Sequence, residues 1–257
     1  MHLLKHKRLL LLSLILLVGL VTLWSIRRDQ APDWTQPLKV VIYPHAADDS
    51  ASVHRFIDSL GDEFVARIER YFSDQAQGHN LPVSPPFTFE MAAPLASAPQ
   101  APPAAGRLAR LRWGLSLRWW RWRLDTQGLD PDIVVVARSN AIDEVPASLH
   151  SVGMAELRLA VANLPAAESH RGYAQVLLAH EILHTVGATD LYDLATGLPQ
   201  FPAGYAAPNQ DPRYPQAKAE LMAGRIPVAP GRAVQAMTLD HTRIGRRTAR
   251  EIGWLRD

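Results

Sequence analysis

The chain has no cysteine among its 257 residues. That one absence removes disulfides, a thiol nucleophile and every thiolate-held zinc or iron–sulfur site together. It leaves the compartment open, since a chain without cysteine suits either redox environment. Charge of one sign is also scarce: 27 Lys and Arg stand against 25 Asp and Glu, for a net +2 and a pI of about 9.0. So small an excess is a weak argument for nucleic acid. Disorder is excluded for most of the length, because 47% hydrophobic residues are enough to build a sizeable core. No internal repeat is visible. The length suits one anchor plus one domain of roughly 200 residues.

Residues 9–26, "LLLLSLILLVGLVTLWSI", carry no charge and follow Lys5, Lys7 and Arg8. A bilayer core needs roughly 17–25 apolar residues, which this run supplies. A cleaved signal usually has a shorter apolar region and a small-x-small site. Here the run ends in Trp24, Ser25, Ile26 and Arg27, and Trp24 suits the interfacial belt. The expectation is a short cytoplasmic N-terminus (1–8), a transmembrane anchor (9–26), a linker (27–37) and one domain (38–257). Positive charges nearly balance across the run, with Lys5, Lys7 and Arg8 facing Arg27, Arg28 and Lys39. We place the N-terminus in the cytoplasm and the domain on the extracytoplasmic, periplasmic side of a cell membrane.

Beyond the linker, "LKVVIYP" (38–44) reads as a strand that stops at proline. Val53, Phe56, Ile57, Leu60, Phe64, Ile68 and Phe72 fall at helical spacing and predict one amphipathic helix over 51–73. "FTFEM" (87–91) predicts a second strand, and the Ala- and Pro-rich 92–106 a surface loop. "RLARLRWGLSLRWWRWRL" (107–124) carries two apolar stripes on a helix, Leu108, Leu111, Leu115, Trp119 and Trp122 against Trp113, Leu117, Trp120 and Leu124. Strand alternation over 111–119 slips at Trp119–Trp120, so we read a helix wedged between the domain body and another surface. Interleaved Arg and Trp also suit single-stranded nucleic acid, but a packed helix with solvated or membrane-proximal arginines is the simpler reading. Strands are predicted at 132–138 and 155–164, helices at 171–187 and 241–254, and irregular chain over 191–230.

The informative stretch is "HEILHTVGATD", 180–190. His180 and His184 are one helical turn apart on the same face, so both imidazoles reach one ion. Glu181 leans over that face, placed to take a proton from metal-bound water rather than to bind the metal. Gly187 falls where the helix must end in a left-handed turn. Asp190 follows it by three residues, a carboxylate that the turn delivers to the third position. The plain alternative makes both histidines core residues and Asp190 a surface turn residue, and HExxH alone does not exclude it.

The full HExxHxxGxxD pattern resembles the metzincin clan of zinc metallopeptidases, in the variant found in snapalysin-like enzymes. Together with "HTVGATDLYD", "FPAGYAAP", "YPQAKAELMAGRIP" and "IGRRTAREIGW", it looks like a group of bacterial membrane-anchored metzincin-like proteins. The resemblance covers 38–257 and is strongest from 150 onward. It implies an α+β fold: a mixed β-sheet stacked on a first helix and an active-site helix, then a small C-terminal subdomain with a methionine turn and a terminal helix. Met222 of "ELMAG" is the candidate for that turn. Many metzincins carry tyrosine two residues later, where this chain has Gly224. An oxyanion-stabilising tyrosine must therefore come from Tyr192, Tyr205 or Tyr214, each of which also suits plain packing.

The remaining histidines, His45, His54, His79, His150, His170 and His241, lack ligand spacing and read as surface or capping groups. Asp48 and Asp49 read as helix-cap partners, and Asp193 as a turn stabiliser. The expected function is a membrane-anchored zinc endopeptidase acting on a protein or peptide, with no nucleic-acid partner. Its metal, Zn2+, is held by His180, His184 and Asp190, and Glu181 is the general base. The alternative is a catalytically silent anchored scaffold, which has no need of Glu181. A deformylase is disfavoured, since its third ligand is a cysteine and this chain has none.

Overall fold

The computed structural model describes residues 32–99, 106–141 and 151–255, with positions 13, 15, 16 and 19 in addition. The rest of the apolar run at 9–26, and His150, lie outside the described residues. Among those described, no helix is long and apolar enough to cross a membrane.

In chain order the elements are β1 (Leu38–Ala46), α1 (Ala51–Asp58), α2 (Asp62–Gly78), β2 (Phe87–Met91), α3 (Arg107–Arg123), β3 (Ile133–Asn140), β4 (Val152–Met154), β5 (Leu159–Pro165) and α4 (Arg171–His184). The strands form one sheet in the order β2-β1-β3-β5-β4. Four are parallel, and only β4 runs antiparallel, against β5. Parallel strands are buried on both faces, which is why β1 and β3 read as unbroken Val and Ile runs. On one face Val40, Ile42, Val135 and Ala162 pack under α1, α2 and α4. On the other, Val41, Tyr43, Val134 and Val136 pack under Leu117 of α3.

After α4 the chain is largely irregular. It forms the short β6 (Ala219–Glu220), β7 (Arg225–Ala229), β8 (Arg232–Gln235) and β9 (Thr242–Arg243), then α5 (Arg246–Glu251). β7 and β8 make a hairpin, while β6 pairs with β9.

Several elements differ from the sequence expectation, each for a local reason. The single helix expected over 51–73 is two, because Ser59, Leu60 and Gly61 interrupt it and Gly61 caps α2 in an extended conformation. The apolar spacing survives the break: Phe56, Leu60, Phe64 and Ile68 all stay buried. β1 runs on past Pro44. Its Ile42 and Pro44 carbonyls accept from Ala92 and Leu95, on the side that β2 has already left, so the missing proline N–H costs no ladder bond. The strand expected over 155–164 is the second half of a hairpin. Ala155–Leu157 form a 3-10 turn, Arg158 sits at φ +47°, and Met154 pairs with Leu159. The helix expected over 241–254 is confined to α5, because Thr242 and Arg243 pair with β6 and Gly245 starts the helix.

Trp34, expected within the linker, is only 3% exposed. Its indole N–H donates to the Ile252 carbonyl at 2.6 Å, and its ring meets Phe87 and Trp254 edge-on. Ser50 Oγ, rather than Asp48 or Asp49, caps α1 by accepting from the Val53 N–H at 3.4 Å. Asp48 instead accepts from the Ser50 and Ala141 N–H groups, and Asp49 lies 3.2 Å from His54.

Candidate metal centre

α4 is anchored before it presents its histidines. Arg171 donates to the Ser59 carbonyl and hydroxyl at 2.9 Å, and Gln175 Nε2 donates to the Phe64 carbonyl at 3.0 Å. Its C-terminus closes as a Schellman turn. The Ala188 N–H reaches the Leu183 carbonyl at 3.0 Å, and the Gly187 N–H reaches the His184 carbonyl at 3.2 Å. Gly187 has φ +104°, a conformation that side-chain-bearing residues rarely adopt. The chain then folds back and sets Asp190 against the histidines.

Three atoms result at one point. His180 Nε2 and His184 Nε2 are 3.0 Å apart, and Asp190 Oδ1 is 3.1 Å from the first and 3.2 Å from the second. Each Nδ1 faces a backbone carbonyl, His180 that of Leu221 at 3.1 Å and His184 that of Ala188 at 2.8 Å. A carbonyl only accepts, so each Nδ1 carries a proton and each Nε2 is turned to the triangle, where it can take a metal ion or a second proton. Two nitrogen lone pairs and a carboxylate oxygen facing one another repel unless a proton or a metal cation lies among them. Three donors around one tetrahedral zinc stand roughly 3.3 Å apart, close to the spacing seen. Asp190 Oδ1 and Glu181 Oε2 are both buried without a hydrogen-bond partner. The donor set therefore fits a divalent cation.

The charges follow the geometry. Burial disfavours charge on His180, but the Asp190 and Glu181 carboxylates outweigh it and push its pKa up to about 9. A proton and a metal ion compete for the same lone pair. Burial also acts to raise Asp190, and the two imidazoles override it and hold the carboxyl well below its usual range. Glu181 moves the other way: burial raises it against the pull of both imidazoles. Its carboxylate falls with one nitrogen of each imidazole in a cluster no more than 4.8 Å across. The Asp190 oxygen makes the tighter set with the imidazoles, so Asp190 fits the third ligand position and Glu181 the place beside it.

No family model matches the chain, and no curated protein matches it. Solved structures do. The chain is similar to wild-type OgpA from Akkermansia muciniphila, at 10% identity over 85% of this chain with a TM-score of 0.40. It is likewise similar to catalytically inactive OgpA from that organism in complex with an O-glycopeptide (glycodrosocin) substrate, at 10% identity, 85% coverage and a TM-score of 0.41. The chain spans 63% of the length of each.

Of the three candidate tyrosines, the structure brings Tyr192 to the site. Burial and the negative charge of the neighbouring Asp190 raise its phenol to about 12, so it stays a donor. Tyr205 and Tyr214 instead bond to each other at 2.9 Å. Met222 is fully buried in the main core, and its carbonyl accepts from the Leu191 N–H at 3.0 Å, next to Asp190. Asp193 Oδ1 accepts from the Ala195 and Thr196 N–H groups, a turn role. His79 bonds to the Ile244 carbonyl and His45 to that of Leu95.

Three supporting residues escaped the sequence reading. Gly153 of β4 lies against α4: a Cβ there would stand 2.5 Å from His184 Cβ and 2.6 Å from the Glu181 carbonyl. Glu220 is a fully buried carboxylate that accepts from the Met222 and Gly245 N–H groups and the Thr248 hydroxyl, at 2.6, 3.0 and 2.6 Å. Glu251 of α5 accepts from the Thr189 N–H and hydroxyl at 2.9 Å, one residue before Asp190. An acid in the apolar "ELMAG" was the one available hint, and nothing local marks the other two.

Proposed function

We propose that the protein is a zinc-dependent endopeptidase of metzincin-like design, held at a membrane by residues 9–26. The observation that carries the peptidase reading is the triangle of His180, His184 and Asp190 with the buried Glu181 carboxylate beside it. A divalent cation bound there would polarise a peptide carbonyl and acidify water. The chain's own residues supply the rest. Glu181, raised by burial and with its Oε2 lacking a hydrogen-bond partner, takes a proton from the attacking water and returns it to the leaving amine. The Tyr192 phenol keeps its proton and offers a donor to the developing oxyanion.

The substrate path follows from the sheet. β4 is the terminal strand of the sheet order, and its Gly153 touches the helix turn that bears Glu181 and His184. An extended peptide adding to the outer edge of β4 would pass the metal at backbone distance, the usual geometry of strand addition. A peptide is thus the substrate class this edge suits.

The deciding experiment compares the wild-type full chain with Glu181→Gln. Both should bind about one zinc per chain by the three-ligand pattern, and only the wild type should cleave a peptide library. Cleavage by the variant would remove Glu181 from the mechanism. A wild type that binds zinc but cleaves nothing would leave the scaffold reading standing, and one that binds no metal would end the proposal.

A further inference from the structure

α3 covers one face of the sheet with Leu117, Trp113, Trp120 and Leu124. Its opposite face covers nothing among the described residues. Leu108, Leu111, Leu115, Trp119 and Trp122 are each 57–75% exposed and follow one another at spacings of three and four. At about 100° per residue they form a single stripe roughly 80° wide. Soluble monomers rarely expose so continuous an apolar surface. Arg112 and Arg123 border the stripe on one side and Arg118 on the other, and Arg123 lies 5.5 Å from the Trp119 ring centre. The helix holds arginines at 107, 110, 112, 118, 121 and 123 and no acidic residue.

We infer that this face of α3 docks on an anionic lipid bilayer, lying in the interface with its leucines and tryptophans inserted. Charge decides the occupant. A second copy meeting the same face about a two-fold axis would set arginine against arginine with no acid on either helix. An anionic headgroup layer offers those arginines partners, while tryptophan and leucine suit the boundary just beneath. The uncharged run at 9–26 points the same way, because a chain carrying its own bilayer-length segment meets lipid at high local concentration. This inference does not depend on the peptidase reading.

The test uses the full chain, whose lack of cysteine makes single-site labelling clean. Leu115→Cys and Leu194→Cys replace exposed side chains, so neither threatens folding. Each is labelled with an environment-sensitive fluorophore. Each is then reconstituted in vesicles of phosphatidylcholine with phosphatidylglycerol, or of phosphatidylcholine alone, carrying a doxyl-lipid quencher. In the anionic vesicles the label at 115 should shift to the blue and be quenched roughly tenfold more than the label at 194, less so in high salt. Adding Arg118→Gln and Arg123→Gln should reduce that quenching. Equal quenching at both positions overturns the inference. So does shielding of position 115 that needs no lipid and follows protein concentration or added RNA oligonucleotide.

Discussion

Gly153→Ala is the smallest change that reaches the site from outside it. The added methyl would meet His184 Cβ at 2.5 Å and the Glu181 carbonyl at 2.6 Å, where ordinary contact begins at 3.4 Å. Something must open by about 0.9 Å, well up the repulsive wall. β4 is three residues long and lies at the sheet edge, whereas α4 is packed in the core and tied to Phe64 and Leu221. The strand gives way. Overpacking of this kind costs about 1–3 kcal/mol, which a domain stable by about 5–15 kcal/mol survives. A displacement near 1 Å of a peptide-positioning strand costs about 100-fold in rate. The variant should therefore keep its zinc by elemental analysis, unfold at slightly lower urea, and lose about 100-fold in kcat/KM. Gly114→Ala is the control, since a Cβ there meets nothing within 4 Å in mid-helix. It should gain about 0.5–1 kcal/mol and leave kcat/KM unchanged. Full activity in Gly153→Ala would refute the role given to β4, and loss of zinc would mean that the helix moves instead.

Trp34→Ala removes a buried indole and leaves the Ile252 carbonyl without its donor, so urea unfolding should register a loss of about 3–5 kcal/mol. A chain begun at residue 38 should show a comparable deficit against one begun at 32. Asp190→Ala should abolish zinc binding in a titration, and Asp190→His should restore part of it. Asp193→Ala should leave zinc binding near wild type, since its carboxylate is spent on the 195–196 turn. The reverse order would make Asp193 the ligand. Glu220→Gln turns one carboxylate oxygen into an amide that faces a donor, and should cost about 1–3 kcal/mol in the same unfolding assay.

The histidine-bearing helix was legible because its information is local. The spacing of His180 and His184 and the glycine at 187 report helix geometry and its termination within eleven residues, and the short turn carries Asp190 along. The strands of the parallel sheet were legible because burial on both faces writes itself as runs such as "DIVVVAR". What stayed hidden depends on contacts between distant parts of the chain. A glycine in "SVGM" gives no sign that it touches His184. Trp34 sits among polar residues and prolines, and only the fold reveals the Phe87 and Trp254 rings that receive it. Both stripes of α3 could be read, but not which of them the sheet would take. The hairpin at 152–165 was missed for another reason: its turn residues, Ala155, Glu156, Leu157 and Arg158, have none of the usual turn chemistry.

The proposed third ligand, Asp190, gives a reason why so much of the C-terminal segment is tied to so few atoms. Two imidazoles come from one rigid helix, but Asp190 comes from a turn, and a turn alone does not hold a carboxylate to a few tenths of an ångström. The chain fixes it through the residues on both sides. Glu251 of α5 grips Thr189 on one side, and the Leu191 N–H bonds to the Met222 carbonyl on the other. The Met222 segment in turn orients His180 through the Leu221 carbonyl. Glu220 then fastens that segment to the start of α5 through Gly245 and Thr248. α5 thus steadies Asp190 through Thr189, and His180 through Glu220 and the Leu221 carbonyl. A small irregular subdomain with little sheet of its own gains its order from this closed set of polar bonds, and a cation bound to the triangle would tighten the same set.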